Sequence, residues 1–151
     1  MLDDAKDVMA LDKAANPVAA RFAAIVGAAN VSTDPAKLQL HSEDIFSRAA
    51  LRVVAVVAPG STDELAQVIA QAKADGLTMA PRGAGASYTS AYLPAGAAAI
   101  SLDMARMNQI LAIDPAAMTV TVQGGCTWAA LNAALKPHGL RTPFWGPMSG
   151  L

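Results

Sequence analysis

The spacing of apolar and polar positions divides the chain into a series of short elements. In "NPVAARFAAIVGAA", residues 16–29, Phe22, Ile25 and Val26 share one face of a helix that Asn16 can cap and Pro17 can open, and Gly27 loosens its end. The polar stretch "NVSTDPAKLQLHSEDIFS" predicts a loop or a short turn of helix. Val53 to Val57 is rich in β-branched residues and predicts a buried strand, stopped by Pro59 and Gly60. Ser61 and Glu64 have the S-x-x-E spacing of a capping box. The helix they open carries Leu65, Val68, Ile69 and Ala72 as its apolar stripe and ends at Gly76. With a second short strand at Leu77 to Ala80, this makes a βαβ unit, whose strands should be parallel and whose crossover should be right-handed.

Further on, Ala98 to Leu102 predicts a third strand. Ile110 to Ile113 and residues 118–125, "MTVTVQGG", predict two more, joined through "DPAA", whose Asp-Pro pair signals a turn. Thr119 and Thr121 alternate with Val120 and Val122, as in a sheet with one wetter face. Thr127 then caps a helix over residues 128–136, with Trp128, Leu131 and Leu135 on one side, closed by Pro137 and Gly139. The pattern as a whole is α+β: a small parallel βαβ subdomain, then the start of a second, mixed or antiparallel, sheet.

Composition narrows what such a fold can do. The 151 residues suffice for one domain or two small subdomains sharing a core. Only 15% are charged, and 11 basic against 12 acidic side chains leave a net charge of −1, so no basic face is offered to nucleic acid or an anionic membrane. The single cysteine, Cys126, excludes an internal disulfide, and with only His41 and His138 besides it no zinc-type ligand cluster can be assembled. The first residues, "MLDDAKDVMALDKAANP", lack the basic and apolar regions of a secretory signal, and every apolar run is interrupted before about 18 residues, which argues against a membrane span. The expectation is a cytoplasmic protein.

The chemistry concentrates in "LTMAPRGAGASYTSAY", residues 77–92. Gly83 and Gly85 let the backbone turn so that successive N–H groups face one way, a nest for an anion, with Arg82, Ser87 and Thr89 as further donors. A third Rossmann glycine is missing, because Tyr88 stands there, and the Gly-Lys-Ser/Thr of a Walker loop is absent. Taken alone, these residues allow either a plain surface turn or a phosphate site.

In order along the chain, "VVAPGSTDELAQVIAQAKADGLTMAPRGAGAS" and "ISLDMARMNQILAIDPAAMTVTVQGGCTWAALNAALKPHGLRTPF" resemble the FAD-binding domain of the vanillyl-alcohol oxidase and p-cresol methylhydroxylase family. The likeness covers roughly residues 50–151 and is weaker in "AAIVGAANVSTDPAKLQLHSEDIF". It implies a partial FAD-binding fold of that type over residues 49–151, after a helical and irregular lead-in over 1–48. It also implies that Pro81, Arg82, Gly83, Ala84, Gly85, Ala86 and Ser87 wrap the FAD diphosphate, through the amides of residues 83–86 and the Ser87 side chain. Arg82 would serve either the phosphate or the loop's own geometry.

Some members tether the flavin to a histidine one residue before the loop's serine; Ala86 stands there, so the resemblance implies noncovalent FAD. Cys126 is expected to be a small turn or core residue, His138 a helix-ending residue near the surface, and His41 and Asp44 non-catalytic. Trp128 and Leu131 are expected in the core, while Phe144 or Trp145 is a candidate neighbour of the flavin ring.

In the family a segment like "GPMSGL" leads into a Thr-x-Gly-Gly stretch and a substrate domain, so the chain reads as part of that fold, with no residue assignable as catalytic. The activity implied is flavin-dependent oxidation of a hydroxy acid, alcohol or phenolic substrate. The alternatives are a non-catalytic, truncated or split FAD-binding module, inactive as an isolated chain, that needs a partner chain or associates with itself; a remnant; or an NADPH-using reductase of cell-wall precursors on the same fold.

Overall fold

The computed structural model describes residues 16–96 and 98–144; the N-terminal stretch, Ala97 and the tail that includes Trp145 lie outside the described residues. Among the described residues the order is α1 (Pro17–Val26), β1 (Val31–Ser32), α2 (Pro35–Leu40), β2 (Ala55–Val57), α3 (Thr62–Ala74), β3 (Thr78–Arg82), β4 (Ala99–Asp103), β5 (Ile110–Asp114), β6 (Thr119–Val122) and α4 (Trp128–Leu135). A first sheet has the order β1-β2-β4-β3, and β5 and β6 form a separate antiparallel pair. The fold is therefore α+β, with a small, mainly parallel sheet followed by an antiparallel pair.

Local chemistry explains where the helices begin. The Asn16 side chain accepts from the amides of Val18 and Ala19, Asp34 from Lys37, Ser61 from Glu64 and Thr127 from Ala130, so each helix starts on a side-chain cap. At α3 the capping box reaches one residue further back than usual, because Glu64 Oε2 accepts from the amide of Gly60 at 2.7 Å. Helix α1 is shorter than its sequence pattern: it stops at Val26, and Gly27, at φ +83°, turns the chain into a 3₁₀ turn over Ala28–Asn30.

Strand alternation sorts the core into two layers. Ala55, Val57, Ile100 and Leu102 face α1 and α3, where they pack with Phe22, Val26, Val68 and Ala72. Val56 and Ala99 face the other way, with Val53, and meet Leu38 of α2. Helices α1 and α2 are thus packed on opposite faces of the sheet.

Several expectations are corrected. β2 and β3 run parallel, as the βαβ pattern requires, but β4 is inserted between them and pairs with both. β1 pairs antiparallel with β2 inside the stretch expected to be irregular, and two residues are too few to show a period. Ile69 is 41% exposed, since the buried face of α3 is carried by Val68 and Ala72. Trp128 is 40% exposed and not a core residue, whereas Leu131 and Leu135 are buried.

Phe22 has no exposed surface, so Phe22→Ala should cost about 3–5 kcal/mol in urea unfolding. Phe46→Ala, at a side chain 86% exposed, should change stability by no more than about 0.5 kcal/mol.

Candidate functional site

Strands β2, β4 and β3 are mutually parallel, so their carboxyl ends meet on one rim, the usual place for ligands in open α/β sheets. Four connections share it. Arg106, in the 3₁₀ turn after β4, donates to Ala58 O at 2.6 Å and so ties down the turn after β2. Gly125 donates to Met107 O at 2.8 Å, and its backbone lies so close to the Met104 carbonyl that a Cβ would overlap it. This brings the turn before α4 to the same rim, where a Cβ on Gly83 would stand 3.5 Å from Gly124 O.

The loop after β3 is built on a buried cation. Pro81 lies on the edge strand, where its missing N–H costs nothing. Arg82, 8% exposed, donates to Glu43 O at 2.8 Å and stacks its guanidinium 4.5 Å from the centre of the Tyr92 ring. Gly85, at φ +76°, passes directly over that guanidinium, and a Cβ there would collide with it.

Above Arg82, Tyr92 Oη donates to Gly85 O at 2.6 Å and lies 3.5 Å from Ser87 O, which also accepts from Ile45 N. A trans peptide sets each carbonyl antiparallel to the next N–H, so drawing the Gly85 and Ser87 carbonyls inward turns the Ala86 and Tyr88 amides outward. Among the described residues, none of the amides from Gly83 to Ser87 donates a hydrogen bond, although Gly83 and Ala84 are exposed and residues 85–87 half-buried. A row of free donors in a glycine turn fits a multi-oxygen anion without a metal or a helix terminus. The Ser87 hydroxyl is shared with Thr89 Oγ1 at 2.9 Å and accepts from Thr89 N.

Asp44 locks the loop's far end. Its carboxylate accepts from the amides of Phe46, Ser47 and Ser90, and Ser90 is held at φ +58°. The bond from Ser47 foremost, with those from Phe46 and Ser90 and the Arg82 charge, lowers the Asp44 pKa against the opposing effect of desolvation. Tyr92 gave no periodic signal in the sequence. Asp44 had one in the Asp-x-x-Ser spacing, which suits an Asx turn.

His41 is not a surface residue. It is 5% exposed, with Nδ1 2.8 Å from Ser101 Oγ and Nε2 3.9 Å from Asp103 Oδ2, which Lys37 Nζ approaches at 3.6 Å. Burial pushes its pKa from 6.5 down to about 4, with Asp103 opposing and Arg82 and Lys37 adding to the fall. Ser101 is fully buried, so this Ser-His-Asp grouping has no opening for a substrate and serves to join α2 to the sheet. His138 is exposed at the end of the 3₁₀ turn after α4, Cys126 is half-buried in the turn before α4, and Phe144 is 65% exposed. An apolar cleft of about 130 Å³ between β6 and the end of α4 shares no residue with the loop.

The sequence model of a family described as an FAD binding domain matches residues 53–149. The chain belongs to the p-cresol methylhydroxylase-type FAD-binding family. It is 35% identical, over 86% of its length, to an uncharacterised FAD-linked oxidoreductase of Mycobacterium tuberculosis, of which it spans 28%. Over 78% of its length it is 30% identical to D-2-hydroxyglutarate dehydrogenase of Xanthomonas citri, of which it spans 25%. Its fold superposes on p-cresol methylhydroxylase with a TM-score of 0.71 at 21% identity, covering 83% of this chain and 25% of that one. The chain thus spans about a quarter of the length of these relatives. No helix among its described residues is long and apolar enough to cross a membrane. Membership in the FAD-binding family agrees with the α+β pattern.

The depressed His41 pKa has a sign that can be checked. The unfolded chain binds a proton near pH 6.5 and the folded chain only near 4, so stability is full above about pH 6.5 and falls as the pH drops toward 4. The loss should approach about 3 kcal/mol in urea unfolding and should be absent in His41→Gln.

Proposed function

We propose that the segment from Pro81 to Ser87, the end of β3 and the loop after it, holds the diphosphate of noncovalently bound FAD, and that the chain forms this part of an FAD-dependent oxidoreductase acting on a hydroxy acid, alcohol or phenolic substrate. One observation carries the reading: successive amides from Gly83 to Ser87 make no hydrogen bond among the described residues, on the rim where three parallel strands end. Family membership supplies the identity of the anion. The names of relatives, D-2-hydroxyglutarate dehydrogenase and p-cresol methylhydroxylase among them, support the substrate classes.

Within that reading, the amides of Gly83, Ala84, Gly85, Ala86 and Ser87 bind the diphosphate oxygens. Arg82 lies beneath them, and Gly124 and Gly125 bring a second turn to the same rim. Ala86 offers no nucleophile, which keeps the cofactor noncovalent. FAD, when bound, supplies the two-electron acceptor chemistry, and the protein's share is to bind and orient it.

Titration of the isotope-labelled chain with FAD, followed by amide NMR, should move the resonances of Gly83 to Ser87 saturably. Acid precipitation should then leave all flavin in the supernatant. Gly85→Ala drives a Cβ into the Arg82 guanidinium at a positive φ and should weaken binding by about tenfold. An absence of saturable shifts at these amides would sink the proposal.

A second reading, that the module works with a partner chain or a copy of itself, is favoured by exposed apolar groups in the second unit: Leu111, Met118, Val122 and Trp128. Light scattering should then give a mass above the 15.4 kDa of one chain, and a clean monomer counts against self-association.

A further inference from the structure

Arg82 is the one cation of the loop motif, and its surroundings set it apart from a phosphate ligand. It is 8% exposed, its Nη1 is committed to the Glu43 carbonyl at 2.8 Å, and its Cζ lies over the Tyr92 ring. The backbone of Gly85 covers the guanidinium, so the charge lies under the loop and not at its mouth. The Tyr92 ring therefore supports Arg82 from one side, while its hydroxyl, 2.6 Å from Gly85 O, reaches the loop that Arg82 supports from below.

We infer that Arg82 and Tyr92 act together as positioning residues for the diphosphate site, fixing which way the loop's peptides face, and that Arg82 does not itself ligate the anion. This rests on the proposal that the loop binds the FAD diphosphate. The guanidinium plane sets the height at which Gly85 crosses, and the tyrosine hydroxyl sets the rotation of the Gly85–Ala86 peptide, hence the outward direction of the Ala86 N–H. The geometry needs a broad, planar cation that lies over the Tyr92 ring beneath Gly85. A lysine would keep the charge but lose that contact.

Two substitutions separate geometry from charge, with ADP as the diphosphate probe and adenosine as the control without phosphate. In the wild-type chain ADP should shift the amide resonances of Gly83 to Ser87. Tyr92→Phe keeps the ring against Arg82 and removes only the hydroxyl. It should lower ADP affinity about fivefold, abolish the shift at Ala86 while leaving that at Gly83, and leave the response to adenosine unchanged.

Arg82→Lys should lower ADP affinity at least as much despite its retained charge. Wild-type ADP affinity in Arg82→Lys would show that charge alone matters and would overturn the inference, as would an unaltered Ala86 shift in Tyr92→Phe. Should Arg82→Lys fail to fold, Tyr92→Phe decides by itself. A wild-type chain that ignores ADP would overturn the diphosphate reading and this inference with it, whereas a wild-type response retained in both variants overturns the inference alone.

Discussion

Strand β4 is the constraint on which the rest of the molecule depends. It lies between β2 and β3, parallel to both, with Ile100 opposite Ala55 and Met79, and Leu102 opposite Val57 and Pro81. Its apolar side chains at 100 and 102 complete the layer under α1 and α3, and Ser101 between them faces the opposite layer. A slip of one residue would carry Ser101 into the apolar layer and Ile100 out of it, so the register is held by burial on both faces. The same register makes three strands end level. Packing the core and assembling the rim are therefore one event, and the loop after β3 inherits its place from side chains that never touch it.

Much of this was legible in the sequence, for identifiable reasons. Asn16, Ser61 and Thr127 cap helices because short polar side chains before apolar periodic runs have few other roles. Val53 to Val57 and Ala98 to Leu102 were readable as strands because β-branched and apolar runs between turn residues leave little choice. Strand order was not readable, because nothing local tells β4 to enter between β2 and β3. Nor was β1, whose two residues pair only because β2 presents a free edge. Of the loop, the glycines were visible and the supports were not. Tyr92 and Glu43 reach Arg82 from opposite sides in the sequence, and such long-range contacts leave no period to read.

The segment from His41 to Ser47 illustrates how polar residues that look available for chemistry can be consumed by construction. His41 binds the underside of β4 through Ser101, the Glu43 carbonyl receives Arg82, and Asp44 gathers three amides from two separate turns. Each buried polar group finds a partner, and no described buried side-chain nitrogen or oxygen is left without one. The polarity of this stretch reflects a joint between layers, and the groups left unpaired on the rim are backbone ones.

The unbonded amides of residues 83–87 have a consequence for how order would be perceived. Hydrogen exchange reports whether an N–H is bonded and shielded, not whether its backbone is still. Here the carbonyl side of the loop is anchored by Tyr92 and Ile45 while the amide side is bare. The segment can thus hold a single conformation and still trade its protons with solvent at nearly the rate of a random coil. Rigidity and protection, which travel together in helices and sheets, come apart at this loop.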